Sequence, residues 1–165
     1  MDLTKKIIFS CALSIGLLIN SVSLFAINPN NPVLKVTING FGVIVWEEDD
    51  GTNRIIRGTF NAGSGAPYVP ATTLSDITKY SFSPKVVSAQ SLQVVATWIE
   101  LDTTTGLRSL WATSLASGVW LAAQQISDVN DNVLPDYTLQ LSEVTGIFPT
   151  MYAFSWRCVE AGQVK

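Results

Sequence analysis

The 165-residue chain contains no histidine and only two cysteines, and its charged residues amount to 14% of the total. Without imidazole there is no Ser-His-Asp or Cys-His nucleophile system, and no zinc site that needs a histidine ligand. Ten Lys+Arg against thirteen Asp+Glu give a formal net charge of −3, so the cationic field that gathers phosphates is missing and nucleic acid is excluded as a partner. Scarce charge beside 47% hydrophobic residues also excludes an extended, self-repelling disordered chain. Outside the first 26 residues no long apolar run with a 3.6-residue period occurs, so helices are not expected to build the core.

What is present begins with an address. Lys5 and Lys6 precede an apolar run from Ile7 to Ile19, and Leu24-Phe25-Ala26 offers a small residue for cleavage. This is the pattern of a secretory signal peptide over residues 1–26, forming an apolar signal helix. A retained membrane anchor or a lipid on Cys11 are the competing readings. The polar Asn20, Ser21 and Ser23 weigh against the first, and Phe9 in place of a small residue weighs against the second. The expected product is exported to the periplasm, cell surface or exterior, with no membrane contact after cleavage. Cys11 leaves with the signal, so Cys158 has no intramolecular disulfide partner in the mature chain and reads as a buried thiol, with intermolecular pairing as the alternative.

The remaining 27–165 segment repeats itself. Trp46 and Trp98, Pro32 and Pro84, and the pairs Ser75-Asp76 and Ser127-Asp128 all lie 52 residues apart, in one gapless register. Val43 and Val95, Glu48 and Glu100, and Asp50 and Asp102 match at the same offset. Two units follow, residues 32–83 and 84–134, with a partial third over 135–165 in which Ala153-Phe154-Ser155-Trp156 resembles Val95-Ala96-Thr97-Trp98. The chain stops at Lys165, before the other strands of that unit could form.

Each unit reads as four short strands. In the first these are Val33–Ile38, the β-branched run through Trp46, Arg54–Phe60 and Tyr68–Leu74, with Asn39-Gly40 and Glu47-Glu48-Asp49-Asp50-Gly51 as turns. In the second they are Lys85–Ala89, Leu92–Ile99, Leu107–Ser114 and Val119–Ile126. The predicted class is all-β: two complete, tandem, four-stranded antiparallel propeller-like blades and part of a third, with a β-sandwich or barrel as the alternative.

Val45-Trp46-Glu47-Glu48-Asp49-Asp50-Gly51, Thr97-Trp98-Ile99-Glu100-Leu101-Asp102 and Gly118-Val119-Trp120 with Ile126-Ser127-Asp128 resemble sialidase-like, BNR-type blades of secreted bacterial repeat proteins. The strict Asp-box, Ser-x-Asp-x-Gly, does not occur. The resemblance implies a β-propeller, and a sialidase-like glycoside hydrolase when the propeller is whole. Such enzymes hold a substrate carboxylate with three arginines and use a tyrosine nucleophile, and no position here matches that set.

Candidate chemistry is sparse. The Glu47–Asp50 cluster reads as a solvated hairpin tip in preference to a calcium loop, because the second unit places Leu101 and Thr103 among its acids. No catalytic, cofactor-binding or metal residues are assigned. Trp46, Trp98 and Trp156 recur at matched positions, which points to packing between units. Tyr68, Trp111 and Trp120 are less regular and are the candidate surface-binding aromatics. The expected function is a non-enzymatic module that binds an unknown protein or glycan, with no cofactor, and with self-association through the open blade faces. The alternative is a fragment of a larger propeller, a hydrolase among the options.

Overall fold

The computed structural model describes residues 29–36, 40–88, 93–142, 151–160 and 163–164. The expected signal segment lies outside them. The described residues contain strands and no helix, and every strand pairing is antiparallel. Extended structure prevails because the sequence places β-branched and aromatic residues in short runs between Gly, Asn and Asp turns.

The first sheet has the order β1(Pro29–Val36), β2(Gly42–Asp49), β3(Arg54–Phe60) and β4(Thr72–Thr73). The second has the order β5(Tyr80–Ser88), β6(Val94–Leu101), β7(Arg108–Ala116) and β8(Val119–Trp120), with β9(Gln124–Gln125) also on β7. A third segment holds the pair β10(Thr138–Ser142) and β11(Met151–Ser155), followed by β12(Val159–Glu160) and β13(Gln163–Val164). The long fourth strands expected at Tyr68–Leu74 and Val119–Ile126 reduce to two-residue ladders and an Asn61–Tyr68 bridge. Pro70 has no N–H to give a ladder there. The opening strand of the second sheet starts at Tyr80, ahead of Pro84.

The 52-residue register survives in three dimensions. β2 and β6 correspond residue for residue, and a bulge interrupts β1 between Asn30 and Val33 and β5 between Phe82 and Lys85. Asn31 (φ 48°) and Ser83 (φ 55°) take the same left-handed conformation at the bulge. Pro32 and Pro84 follow them on outer strands, where a missing donor breaks no ladder. The second hairpin is two residues longer: Asp50 N–H reaches Asn53 O, whereas Asp102 N–H reaches Leu107 O. β3 therefore maps onto β7 at an offset of 54, and the shorter connection after β7 restores 52 by Ser127. Within both connections the serine hydroxyl accepts from the sheet, Ser75 Oγ from Ile56 N–H at 2.9 Å and Ser127 Oγ from Leu110 N–H at 3.0 Å.

The sheets stack face to face. Val43, Val45, Ile56 and Phe60 of the first meet Val86, Val94, Ala96, Trp98 and Leu115 of the second in one apolar cluster. On the far side of the second sheet Ile99 and Leu110 pack with Val133 and Tyr137, flanked by Phe82, Ile126 and Trp156. β6 is thus covered on both faces, and every residue from Val94 to Glu100 is buried. That explains its uninterrupted apolar spelling, a pattern of strands with two covered faces. On β1 only Val33 packs inward, while Leu34 and Val36 are exposed.

Trp46 and Trp98 occupy equivalent, buried places, at 3% and 0% exposure. Each indole N–H is met by the carboxylate two residues on, Trp46 by Glu48 at 3.1 Å and Trp98 by Glu100 at 2.9 Å. Glu100 Oε1 also accepts from Asp76 N–H, tying the second sheet to the turn that enters it. In the third segment Cys158 stands where that glutamate would be. There Asp131 takes over both duties, accepting from Trp156 Nε1 at 3.2 Å and from Asp128 N–H at 3.1 Å. The same bridge is built from a different position.

Candidate functional site

Glu47 and Glu48 are not turn residues. β2 continues to Asp49, so both lie in a buried strand, and only Asp49 and Asp50 reach the hairpin tip. At the tip Asp50 Oδ1 accepts from Thr52 and Asn53 N–H, and these bonds hold its carboxyl below the usual range. Asp102 does the same with Thr104 and Thr105 in the second hairpin. Both are turn-closing acids.

Glu47 has a different task. It is 1% exposed and points between the sheets. Oε1 accepts from Asn31 Nδ2 at 2.9 Å and from Ser83 N–H at 2.8 Å, and Oε2 accepts from Arg54 Nη1 at 3.0 Å. One carboxylate therefore joins the β1 bulge, the β5 bulge and the start of β3. Position 99, its counterpart, is an isoleucine. At the next junction Tyr137 serves instead, its hydroxyl donating to Ser83 O at 2.7 Å and meeting Thr97 Oγ1 at 3.1 Å. Lys85 Nζ donates to Tyr137 O and lies 4.4 Å from its ring. Burial pushes the Tyr137 phenol far up, so it stays protonated and able to donate.

Arg54, held by Glu47, leads to a surface groove. Its guanidinium lies 5.1 Å from the ring centre of Tyr80, and Tyr80 is tilted against Phe82 at 6.1 Å. With Leu101, Gly106 and Arg108 these residues line a groove of about 440 Å³ at the hairpin ends of both sheets. Strand register places them there: Tyr80 pairs with Leu101 and Leu101 with Arg108, a row across β5, β6 and β7. Arg54 and Arg108 each open the third strand of a sheet and correspond once the longer second hairpin is allowed for. Arg108 Nε donates to Asn132 Oδ1 at 3.1 Å, and its backbone carbonyl accepts from Val133 N–H at 2.9 Å. Among the described residues Arg108 has no acidic partner, whereas Arg54 has Glu47. Two arginines and two aromatic rings form a surface that can hold a planar anion and an apolar ring face together. Among the described residues no carboxylate lines it.

A second cleft of about 480 Å³ lies at the opposite end, bounded by Phe41, Phe60, Ala62, Gln93 and the Leu115–Gly118 turn. Among the described residues none of its lining side chains is ionisable.

No family model and no curated protein matches this chain. Among solved structures, an endo-arabinase from Bacteroides thetaiotaomicron is similar at a TM-score of 0.47 with 9% identity. The match covers 81% of this chain and 57% of the arabinase, so the chain spans little more than half of that protein's length.

The candidate aromatics from the sequence are not gathered at either cleft. Trp111 stands opposite Trp98 across the β6–β7 ladder, half-buried against the first core cluster. Trp120 is also half-buried there and reaches across to the first sheet, where a Cβ on Gly58 would lie 3.2 Å from its ring. Its indole N–H is buried with no hydrogen-bond partner among the described residues. The Tyr68 hydroxyl lies so close over Gly42 that a Cβ there would stand 2.5 Å from it, and burial raises its pKa. Cys158 is half-buried, bridged through its backbone to Val133. Arg108 escapes a gapless 52-residue alignment with Arg54, because the inserted pair of hairpin residues shifts it out of register, and Tyr80 and Phe82 meet Asn132 and Leu134 there. Allowing that shift, the matched arginines are visible in the sequence.

Proposed function

We propose that the protein is an exported, non-enzymatic recognition module built of propeller-like β units, and that it binds a glycan in the groove between Arg54 and Arg108. The observation that carries this reading is the groove itself. Both sheets contribute equivalent arginines, and two aromatic rings line the space between them. Its volume falls within the range of about 300–1,000 Å³ found for ligand sites. Aromatic faces with fixed polar groups are suited to the mixed apolar and hydroxylated surfaces of a sugar. Most glycoside hydrolases flank the scissile bond with a pair of carboxyl groups, and among the described residues neither cleft is lined by one.

Export follows from the Lys5-Lys6 start and the apolar run after it, and gives a mature chain that begins near Ile27. The experiment has two parts. N-terminal sequencing of exported material should start near Ile27; an intact Met1 or a lipid on Cys11 would overturn the soluble, exported reading. Chemical-shift mapping against a panel of neutral and acidic oligosaccharides should move the Tyr80, Phe82 and Arg108 resonances and leave the sugars uncleaved. Hydrolysis of the sugar, or shifts confined to the Phe41–Phe60 cleft, would refute it.

A further inference from the structure

We propose that a second copy of this chain packs on the outer face of the first sheet, making the protein a two-fold dimer. That face is the one turned away from the second sheet. Register fixes its members: Leu34 pairs with Ile44 and Val36 with Gly42, on the side opposite to Val43 and Val45, which enter the core between the sheets. The Tyr68 hydroxyl lies over Gly42 on the same side, in the space that a Cβ there would need. Leu34 is 44% and Val36 59% exposed, and Ile44 and Tyr68 are half-buried. At an offset of 52, the equivalents of Leu34, Ile44, Trp46 and Tyr68 are Val86, Ala96, Trp98 and Trp120. Those four belong to the surface on which the second sheet receives the first. The first sheet therefore carries the same receiving surface, and among the described residues neither apolar cluster lies on it. Trp46 is already buried at one end of this surface, so its open part is the end with Leu34 and Val36.

The other end of the array decides what covers it. In the third segment Thr138 pairs with Ser155 and Gln140 with Ala153, and all four are exposed. Counted back from Trp156, Ala153 and Ser155 stand where Val43 and Val45 stand in the first sheet, the residues sent into the core. A face of small and polar residues gains little from an apolar receiving surface, so it caps the array and head-to-tail stacking is disfavoured. The apolar patch at Leu34 and Val36 is matched best by a copy of itself, and such a self-complementary contact closes after two chains. Edge-to-edge addition along β1 is blocked separately. Pro32 has no donor, Asn31 forms a bulge and Lys35 is an exposed charge. Four strands about 4.8 Å apart, with about 3.3 Å per residue along β2, make a face of about 19 by 26 Å, so two copies cover at most about 1,000 Å². That is the small end of specific interfaces, and the pair should exchange with monomer on dilution.

The test is sedimentation velocity of the purified protein over a concentration series, with circular dichroism melts of each variant to establish that it folds. The parent should pass from monomer to dimer and go no further. Val36→Lys, at an exposed position, should leave a monomer with the parent's melt, because the two-fold axis sets the new charges against the same apolar surface twice. Leu34→Ser is the milder second variant and should weaken the dimer at least about tenfold, since an apolar side chain is lost from both copies. Ser155→Lys, on the polar face of the third segment, should dimerise as the parent does. A parent that stays monomeric at every concentration overturns the proposal. Dimers that survive both Val36→Lys and Leu34→Ser show that another face is used and overturn it equally. Oligomers that keep growing with concentration, or a dimer broken by Ser155→Lys, show head-to-tail contacts and overturn the two-fold arrangement.

Discussion

Replacing Glu47 by alanine removes the carboxylate that joins three strands, and the structure allows its cost to be worked out partner by partner. The Ser83 amide loses its acceptor at a junction between sheets, where an unsatisfied donor costs about 1–3 kcal/mol. The Arg54 side chain is 34% exposed and can be rehydrated. Its share therefore falls from the buried-pair scale of about 3–5 kcal/mol toward the surface-pair scale of about 0–1 kcal/mol. Asn31 is exposed and contributes little. The expected loss for Glu47→Ala is about 2–4 kcal/mol, a large part of the roughly 5–15 kcal/mol that stabilises a domain. Glu47→Gln keeps an oxygen for Ser83 and should cost less than half as much. Urea denaturation read by tryptophan fluorescence measures both. An alanine variant within about 0.5 kcal/mol of the parent at unchanged m-value, the range of an ordinary surface substitution, would refute the view that Glu47 clamps the two sheets.

Trp98→Ala should cost about 3–5 kcal/mol, since the ring is fully buried between the sheets, whereas Trp156→Ala, at a half-buried position, should cost clearly less; equal midpoints for the two variants would contradict the layered core. Glu100 gives a pH signature. Burial raises its pKa above the ordinary 4.5, outweighing the bonds from Trp98 and Asp76 and the nearby Lys79, while the Asp76 charge adds to the rise. A carboxyl raised in the folded state contributes stability that is present below pH 4.5 and lost as pH rises through the folded value. Glu100→Gln, which stays neutral, should therefore gain on the parent as pH increases across that window, measured by urea midpoints from pH 4 to pH 8; a gap that is flat or shrinks with pH would show that the charged form is not penalised.

Much of this architecture is written in local spelling. The alternation and β-branching of Val43–Trp46 and Val94–Ile99 specify strands, and Asn, Asp and Gly between them specify turns. The 52-residue register foretold that Trp46 and Trp98 would be equivalent, and their burial confirms it. Strand ends were less legible. Tyr68–Leu74 and Val119–Ile126 read as full strands, yet each keeps only a few ladder bonds, and just past each a short side chain, Ser75 or Ser127, accepts the neighbouring strand's amide.

The candidate site was hidden for a related reason. Glu47 sits in a run of four acids, a spelling that normally means a solvated turn, and Trp46 beside it is no sign of depth. Only the packing of the β5 bulge against β2 brings Ser83 within reach of that carboxylate and makes burial tolerable. Asp131 likewise carries no mark of its role; it substitutes for a glutamate because the chain folds it toward Trp156.

The sequence by itself determined the all-β class, the repeating unit and the equivalence of Trp46 and Trp98, because these depend on residue type at short range and on a period along the chain. The tertiary structure decided which acids are buried clamps and which close turns, and it set Arg54 and Arg108 on either side of one groove. Those outcomes depend on how two sheets stack and on hairpin lengths that differ by two residues. Such through-space relations have no period along the chain.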